Sequence, residues 1–237
     1  MSKKKPHVCI IIPAYNEAKV LYGVLEKTKK AFKKDTKHTY EIVVINDGSL
    51  DETPDEARRA GVTVIDHILN SGAGGATSTG LRYAYRQKAA IAATMDADGQ
   101  HAPEDVILGI NIISTSDTDL LIGSRLVDST GMSSVKRLGN WGLSVFTYLL
   151  FGIKSTDSQS GLRVFSQKTL TQLEWKARGY EFCSEMLWRA HQIGLKIDEY
   201  PIEAIYTEYS KGKGQSNWNA LNIVRTLLAR RLSEIFR

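Results

Sequence analysis

The chain has 237 residues, 42% of them hydrophobic and 24% charged, with a formal net charge of +5. This is the composition of an ordinary globular protein that can bury a hydrophobic core. The basic balance leaves nucleic acid, an anionic membrane surface and phosphorylated substrates open as partners. The two cysteines lie far apart, and Cys9 stands in the apolar run VCIII. We therefore expect buried thiols in a reducing, cytoplasmic compartment and exclude a disulfide framework.

Strand-like and helix-like segments alternate through the first half of the chain. Short β-branched or apolar runs predict strands at 7–12, 41–47, 62–67, 90–96 and 119–124. Between them, helical periodicity predicts helices at 18–32, 51–60, 75–89 and 103–115. This alternation predicts an α/β fold in which a mostly parallel sheet carries helices on both faces.

The remainder of the chain, from residue 125, is less regular. The uncharged stretch 138–153 is shorter than the roughly 20 residues of a membrane-spanning helix, so we expect a buried or interfacial helix. The segments that follow are a loop and short strand at 156–166, an amphipathic helix at 182–194, a strand at 196–206, a polar glycine-rich loop at 207–217 and a basic amphipathic helix at 218–237. Pro201 in the last strand is compatible with the edge of a sheet.

Four of the predicted strands end in polar or acidic segments that contain turn-forming residues. These segments are PAYNE after the first strand, NDGS after the second, DADGQH after the fourth and GSR after the fifth. Because ligands bind at the carboxyl ends of the strands in such sheets, we expect the four segments to meet at one site.

The segment DADGQH suits a hard divalent cation. Asp96 and Asp98 place two carboxylates at the end of a buried strand, which costs free energy unless a positive charge compensates them. Mg²⁺ and Mn²⁺ prefer oxygen ligands and keep positions for substrate phosphates, and Gln100 adds a carbonyl oxygen. The alternative is a structural one, in which Asp98 and Gly99 form a turn and 103–105 opens a helix.

The other strand ends are weaker signals when taken singly. Asp47 can accept a hydrogen bond from a base or ribose, and an Asx turn before a helix is the alternative. Asn16 or Glu17 in PAYNE can equally cap the next helix. The glycine-rich segment 71–80 lacks the spacing of both a P-loop and G-x-G-x-x-G. It predicts tight packing of a helix start near the site.

Taken as a set, six segments resemble the family 2 glycosyltransferases, which have the GT-A fold. The segments are IIPAYNE, VVINDGSLDET, LNSGAGGATSTGL, MDADGQHAPED, IGSR and DSQSGLRVF. Their order and approximate spacing match that family over residues 7–217, and within it the chain is similar to the polyprenyl-phosphate (dolichyl-phosphate) hexosyltransferases. The resemblance implies a GT-A catalytic domain at 1–217, followed by the basic C-terminal helix 218–237.

The resemblance also implies roles for individual residues. The nucleotide-binding residues that it implies are Pro13, Tyr15, Glu17, Val44, Asp47 and, from a basic loop that closes over the site, Lys213. Asp96, Asp98 and Gln100 would hold Mg²⁺ or Mn²⁺ together with the donor diphosphate. Arg125 and Arg137 stand where the family binds phosphate groups, and with Asp98 they form the implied catalytic set. For Lys213 the alternative is a solvated loop lysine.

The implied reaction moves a hexose from a UDP- or GDP-linked sugar to a polyprenyl (undecaprenyl or dolichyl) phosphate, with inversion at the anomeric carbon. A phosphate monoester is mostly dianionic at pH 7, so the acceptor needs no strong general base. His101, the imidazole nearest the acidic segment, is therefore expected to be structural or to support a ligand.

The acceptor lipid is expected to meet helix 138–153, with Arg137 directly before it. The basic helix 218–237 is expected on the membrane surface at the cytoplasmic face, and its alternative is packing on the catalytic domain. A small membrane-protein partner is compatible with this arrangement.

Two other functions fit parts of the sequence. The same fold can extend a glycan or a cell-wall polymer. A nucleic-acid-binding protein would need clustered basic residues with aromatic stacking residues. The acidic strand ends repel phosphates without a metal, so we expect no nucleic-acid partner. The sequence leaves the sugar open, and also the choice between UDP and GDP.

Overall fold

The computed structural model describes residues 7–126, 134–203, 205, 209 and 225–227, with only the backbone at 134–137 and 140. The strands in this part of the chain are β1 His7–Ala14, β2 Thr39–Asn46, β3 Thr63–Asp66, β4 Ile91–Thr94, β5 Leu120–Ser124, β6 Arg163–Ser166 and β7 Ile197–Pro201. The helices are α1 Ala18–Phe32, α2 Thr53–Arg59, α3 Ala73–Arg86, α4 Pro103–Thr115, α5 Ser134–Phe151, α6 Gln167–Gln172 and α7 Phe182–Gln192.

All seven strands form one sheet in the order β3-β2-β1-β4-β6-β5-β7. Every neighbouring pair is parallel except the two that involve β6, which runs antiparallel to β4 and to β5. The predicted α/β fold with a mostly parallel sheet is therefore confirmed. β7 is an edge strand and ends at Pro201, where a missing backbone N–H disturbs no ladder.

Each face of the sheet has its own hydrophobic core, because successive side chains of a strand point to opposite faces. Cys9 and Ile11 of β1 pack with α3, α5 and α7, whereas Val8, Ile10 and Ile12 pack with α1, α2 and α4. All five are completely buried. Burying an aliphatic side chain of this size stabilises a fold by about 1.5–3 kcal/mol. The apolar run of β1 thus holds both helical layers on the sheet.

The strand order places the candidate site at the point where the chain changes direction in the sheet. β2 and β3 extend from one side of β1, and β4 and the later strands extend from the other. The crevice between the ends of β1 and β4 is the position where open α/β sheets bind ligands. Because β6 is antiparallel, the loop before it, rather than after it, lies at this same edge.

Several predicted boundaries need correction. α5 begins at Ser134, so Arg137 lies in its first turn and not directly before a helix. The strand predicted at 196–206 ends at Pro201, and α6 was not predicted. Lys213 lies outside the described residues, as does the segment 218–237 apart from a helical turn at 225–227.

Candidate active site

The loops that follow β1 and β2 are locked together. The backbone N–H of Asn16 donates to Ser49 Oγ at 3.0 Å, and Asn16 Oδ1 accepts from the backbone N–H of Leu50 at 2.8 Å. Asn16 has φ of 54°, a left-handed conformation that asparagine tolerates better than most residues. The backbone N–H of Glu17 donates to Thr53 Oγ1 at 2.7 Å. PAYNE and NDGSLDET therefore form one rigid wall of the crevice.

Asp47 organises a second loop beside this wall. Its side chain is almost fully buried, and Oδ1 accepts from the backbone N–H and the hydroxyl of Ser71 at 2.8 and 2.7 Å. Oδ2 accepts from the backbone N–H of Gly72 at 2.8 Å. His67 Nδ1 lies 2.7 Å from Oδ1, and its Nε2 lies 2.9 Å from Thr79 Oγ1. The carboxylate thus holds the chain between β3 and α3 against the end of β2.

The start of α3 is packed as tightly as its glycines predict. Gly72 has φ of 81°, and a Cβ there would lie 2.9 Å from the carbonyl carbon of Arg178. The backbone N–H of Gly74 donates to Arg178 O at 2.7 Å, and Trp175 Nε1 donates to Gly74 O at 3.2 Å. The segment before α7 is thereby fixed on the N-terminus of α3, beside the crevice.

Asp96, Asp98 and Gln100 follow β4 and face the crevice. Asp98 Oδ1 accepts from the backbone N–H of Gln100 at 3.0 Å, and Oδ2 accepts from the side-chain amide of Gln100. The side chain of Asp96 is 47% exposed, and Asp98 and Gln100 are half-buried. The Asp96 carboxylate rests directly on Gly161, where a Cβ would lie 2.7 Å from its Cγ.

The electrostatics of this group fit a divalent cation. Although about half of the Asp96 side chain is exposed, the surrounding protein withdraws its carboxylate from bulk water, and this desolvation raises the pKa of Asp96. The guanidinium groups of Arg125 and Arg163 act in the opposite direction. Burial and the neighbouring Asp96 carboxylate raise the pKa of Asp98. Two ionised carboxylates here lack sufficient positive charge, and Mg²⁺ or Mn²⁺ prefers such oxygen ligands. The residues that would hold it are Asp96, Asp98 and Gln100.

A buried ion pair lies beside the acidic group. Arg125 Nε and Nη2 donate to the two carboxylate oxygens of Asp157 at 2.7 and 2.9 Å, a bidentate geometry. Asp157 is completely buried, and 14% of the Arg125 side chain is exposed. The pair therefore fixes a guanidinium at the rim of the crevice, where it can meet an anionic substrate.

A second arginine holds the loop that carries Asp157. Arg163 is 1% exposed, and its guanidinium donates to Ser160 O at 3.0 Å, Ser158 O at 2.7 Å and Cys183 O at 3.2 Å. These three carbonyl acceptors hold the loop before β6 in one conformation. The carboxylates of Asp96 and Asp98, the Arg125 guanidinium and the loop held by Arg163 thus meet at one edge of the sheet.

Comparisons with known proteins show the family of the chain. The model of "Glycosyl transferase family 2" matches residues 9–173. The chain belongs to this family. It is 38% identical over 251 residues to UDP-N-acetylglucosamine--dolichyl-phosphate N-acetylglucosaminyltransferase of Methanococcus voltae, covering 96% of this chain and 97% of that protein. It is 29% identical over 238 residues to undecaprenyl-phosphate mannosyltransferase of Micrococcus luteus, covering 94% of this chain and 95% of that protein.

A solved structure shows the same fold at lower sequence identity. Glucosyl-3-phosphoglycerate synthase from Mycobacterium tuberculosis, crystallised with Mn²⁺, UDP-glucose and phosphoglyceric acid, superimposes with a TM-score of 0.72. The identity is 20%, and the match covers 96% of this chain and 79% of that chain. The GT-A fold predicted from the sequence is confirmed by this likeness.

The structure places the predicted nucleotide residues of this family 2 transferase in different surroundings. Pro13 lies in β1, and Tyr15 is 42% exposed just beyond its end. Glu17 occupies the N-cap position of α1 without a side-chain cap bond, and its Oε2 accepts from Tyr209 at 2.8 Å. Val44 is completely buried in the core, so its side chain has no surface at which a nucleotide could touch it.

Four residues at the site have no individual role in the sequence predictions. They are His67, Asp157, Gly161 and Tyr180. Burial, and after it the Asp96 carboxylate, raises the pKa of Tyr180, which places this half-exposed phenol in the field of the acidic group. Asp157 and Gly161 stand in the motif DSQSGLRVF, but the motif does not show which residues they contact. Their contacts follow from the antiparallel direction of β6, which brings the loop before this strand to the crevice.

Proposed function

We propose that this protein transfers a hexose from a nucleotide sugar to a polyprenyl phosphate. The observation that carries the proposal is the meeting of the Asp96–Asp98 carboxylates and the Arg125 guanidinium at one crevice of a family 2 fold. A leaving diphosphate needs positive charge that a metal on the carboxylates supplies, and an acceptor phosphate needs a guanidinium. Relatives named for dolichyl and undecaprenyl phosphate support the choice of acceptor.

The donor binds along the wall formed by the ends of β1 and β2. We assign contacts with the nucleotide to Pro13, Tyr15, Glu17 and Asp47, with Lys213 closing over it. Asp96, Asp98 and Gln100 would hold Mg²⁺ or Mn²⁺, which would supply positive charge to the leaving diphosphate. Asp47 is engaged by four groups of the loop between β3 and α3, three at Oδ1 and one at Oδ2. It therefore contributes through the remaining lone pair of Oδ2 or by shaping that loop.

The acceptor phosphate attacks the anomeric carbon from the side opposite the diphosphate. Two arginines hold this phosphate in place: Arg125, directly after β5, and Arg137, in the first turn of α5. The bidentate bond to Asp157 keeps Arg125 from swinging toward the carboxylates. One direct displacement forms the new C–O bond as the diphosphate leaves, which inverts the anomeric centre. A dianionic phosphate needs no proton removed, and His101, fully buried, takes no part as a base.

The exposed face of α5 suits the lipid part of this acceptor. Leu138, Trp141, Tyr148 and Leu149 are 44–74% exposed, although apolar side chains of this size ordinarily pack inside. The opposite, buried face carries Ser144 and Thr147, whose hydroxyls bond to the loop before β6 and to α7. Because α5 exposes four large apolar side chains in addition to the face that it packs on the domain, we infer that it lies against the membrane or the isoprene chain.

Membrane contact does not require a span. None of the helices in the described ranges is long and apolar enough to cross a bilayer. We propose that the protein is peripheral at the cytoplasmic face, with 218–237 adding basic residues. In the turn 225–227, Arg225 is exposed and Leu227 is buried in the core with α3 and α5, which supports a helix that packs on the domain and presents charge outward. A small membrane-protein partner is part of the same proposal.

The first donor to test is UDP-N-acetylglucosamine, because the Methanococcus voltae relative is 38% identical over nearly its full length. The experiment incubates purified protein with polyprenyl phosphate, Mn²⁺ and labelled UDP-N-acetylglucosamine, UDP-glucose or GDP-mannose in parallel. We expect lipid-extractable label from one donor, loss of label with EDTA and a β-linked product from an α-linked donor. Label that enters a water-soluble glycan instead would indicate the alternative, a polymer-extending transferase.

A further inference from the structure

Gly161 lies under a residue that we assign to the metal. A methyl group at Gly161 would overlap Asp96 Oδ1 and lie 2.7 Å from both Cγ and Oδ2. Carbon atoms do not approach so closely, so any larger residue at Gly161 must displace the carboxylate. Gly161 itself is fixed, because its carbonyl accepts from Thr94 Oγ1 at 2.8 Å across the β4–β6 junction. The floor beneath Asp96 is therefore set by the backbone of the loop before β6.

His101 approaches Asp96 from another direction. Its Nδ1 accepts a hydrogen bond from the backbone N–H of Asp96 at 3.1 Å, so Nδ1 carries no proton and the hydrogen of the neutral ring is on Nε2. Nε2 is buried, has no hydrogen-bond partner among the residues that the structure describes, and lies 3.8 Å from Asp96 Oδ2. A buried N–H without an acceptor costs free energy. A small rotation of the carboxylate toward His101 would satisfy it.

We propose that Gly161 and His101 are positioning residues that together set the carboxylate of Asp96 for the metal. Gly161 provides the floor that admits the carboxylate. The Nε2–H of His101 attracts Oδ2, which lies 3.8 Å away, and so fixes the rotation of the carboxylate. Neither residue touches the substrate in this arrangement. The inference deepens the proposed function, because it rests on Asp96 as a metal ligand, and it adds two residues whose roles follow from their contacts.

The first test is Gly161→Ala, with Gly23→Ala as the matched control. Gly23 lies inside α1, where an added Cβ would have no atom of the described ranges within 4 Å. The measurement is calorimetric binding of UDP with and without Mn²⁺, together with thermal unfolding. Loss of groups that orient metal ligands typically weakens metal affinity roughly 10–100-fold. We expect a loss in this range for Mn²⁺-dependent UDP binding in Gly161→Ala, and none in Gly23→Ala.

The second test separates the two nitrogens of His101. Asparagine places an oxygen near the position of Nδ1, whereas glutamine places an N–H near the position of Nε2. If Nε2–H orients Asp96, His101→Gln should retain more Mn²⁺ affinity than His101→Asn. A residue that only supports the backbone of Asp96 predicts the reverse order. His38→Gln is the control for loss of a buried imidazole, because His38 bonds to Asp35 and Ser114 at the opposite end of the sheet.

These outcomes can be told apart from failure of the proposed function. Wild-type protein that binds UDP no better with Mn²⁺ than without it would remove the metal assignment itself. Wild-type binding that depends on Mn²⁺, together with Gly161→Ala affinity within twofold of wild type, would overturn the role of Gly161. Higher Mn²⁺ affinity in His101→Asn than in His101→Gln would overturn the role of His101. Each comparison uses the full chain and requires no acceptor.

Discussion

Removal of the Asp157 side chain should destabilise the fold. It should also release Arg125, the proposed acceptor-binding residue, from the orientation that it has here. The carboxylate is completely buried and binds Arg125 through two hydrogen bonds of 2.7 and 2.9 Å. Truncation of one partner of a buried ion pair costs about 3–5 kcal/mol, because the other charge stays in the interior. Since 14% of the Arg125 side chain is exposed, we expect a cost near the lower limit, about 3 kcal/mol. In a chain of this length, that lowers Tm by roughly 6–12 °C.

Thermal unfolding of Asp157→Ala, Arg125→Ala and the double variant measures this cost. The double variant should be more stable than the sum of the single losses predicts, with a coupling energy of about 2–3 kcal/mol. Asp117→Ala is the control, because its pair with Lys196 is exposed and should leave Tm unchanged. A Tm of Asp157→Ala no lower than that of Asp117→Ala, or single losses that simply add, would show that the Arg125–Asp157 pair does not stabilise the fold in this way.

Three further changes probe the donor site and the membrane. Asp98→Asn should raise the Tm of the metal-free protein at pH 8, because burial and the Asp96 carboxylate raise the pKa of Asp98 and its ionised form is therefore costly. The Tm difference between Asp98→Asn and wild type should shrink as the pH falls toward the ordinary carboxyl range. With Mn²⁺ and UDP present, wild type should be the more stable of the two. A Tm difference that stays constant across pH would contradict the raised pKa of Asp98. Asp47→Ala should weaken UDP binding and lower Tm, and unchanged affinity by calorimetry would count against the nucleotide assignment. Trp141→Ser with Leu149→Ser should reduce flotation with anionic liposomes at least tenfold relative to Leu108→Ser on α4, and equal flotation would exclude α5 as the contact.

Much of the sheet could be predicted from the sequence because its central strands are buried on both faces. β1 and β4 are continuous apolar runs, which is the pattern of a strand covered by two helical layers. The acidic segment after β4 could also be predicted as a cation site, because two carboxylates at the end of a buried strand cost free energy unless a positive charge compensates them. Predicted ends differ from the observed ones by a few residues, as at β7, where the chain leaves the sheet after Pro201.

The partners within the site could not be predicted, because they depend on strand order. Asp157 and Gly161 are about 60 residues from Asp96 in the sequence, and only the insertion of β6 between β4 and β5 brings them together. For Val44, the sequence predicted a contact with the nucleotide that the structure does not show. A position in a family motif does not reveal whether a side chain faces the ligand, and this one faces the core. Arg137 was predicted before a helix because its charge marked the boundary, but α5 begins three residues earlier, at Ser134.

The most direct test of hexosyl transfer to a lipid phosphate is the identity of both products of one turnover. Wild-type protein is incubated with polyprenyl phosphate, Mn²⁺ and the donor that gives lipid-extractable label, and the mixture is resolved by mass spectrometry. We expect one polyprenyl monophosphate sugar for each nucleoside diphosphate released, and neither product from Asp98→Ala. Release of a nucleoside monophosphate with a polyprenyl diphosphate sugar, or full activity of Asp98→Ala, would contradict this expectation.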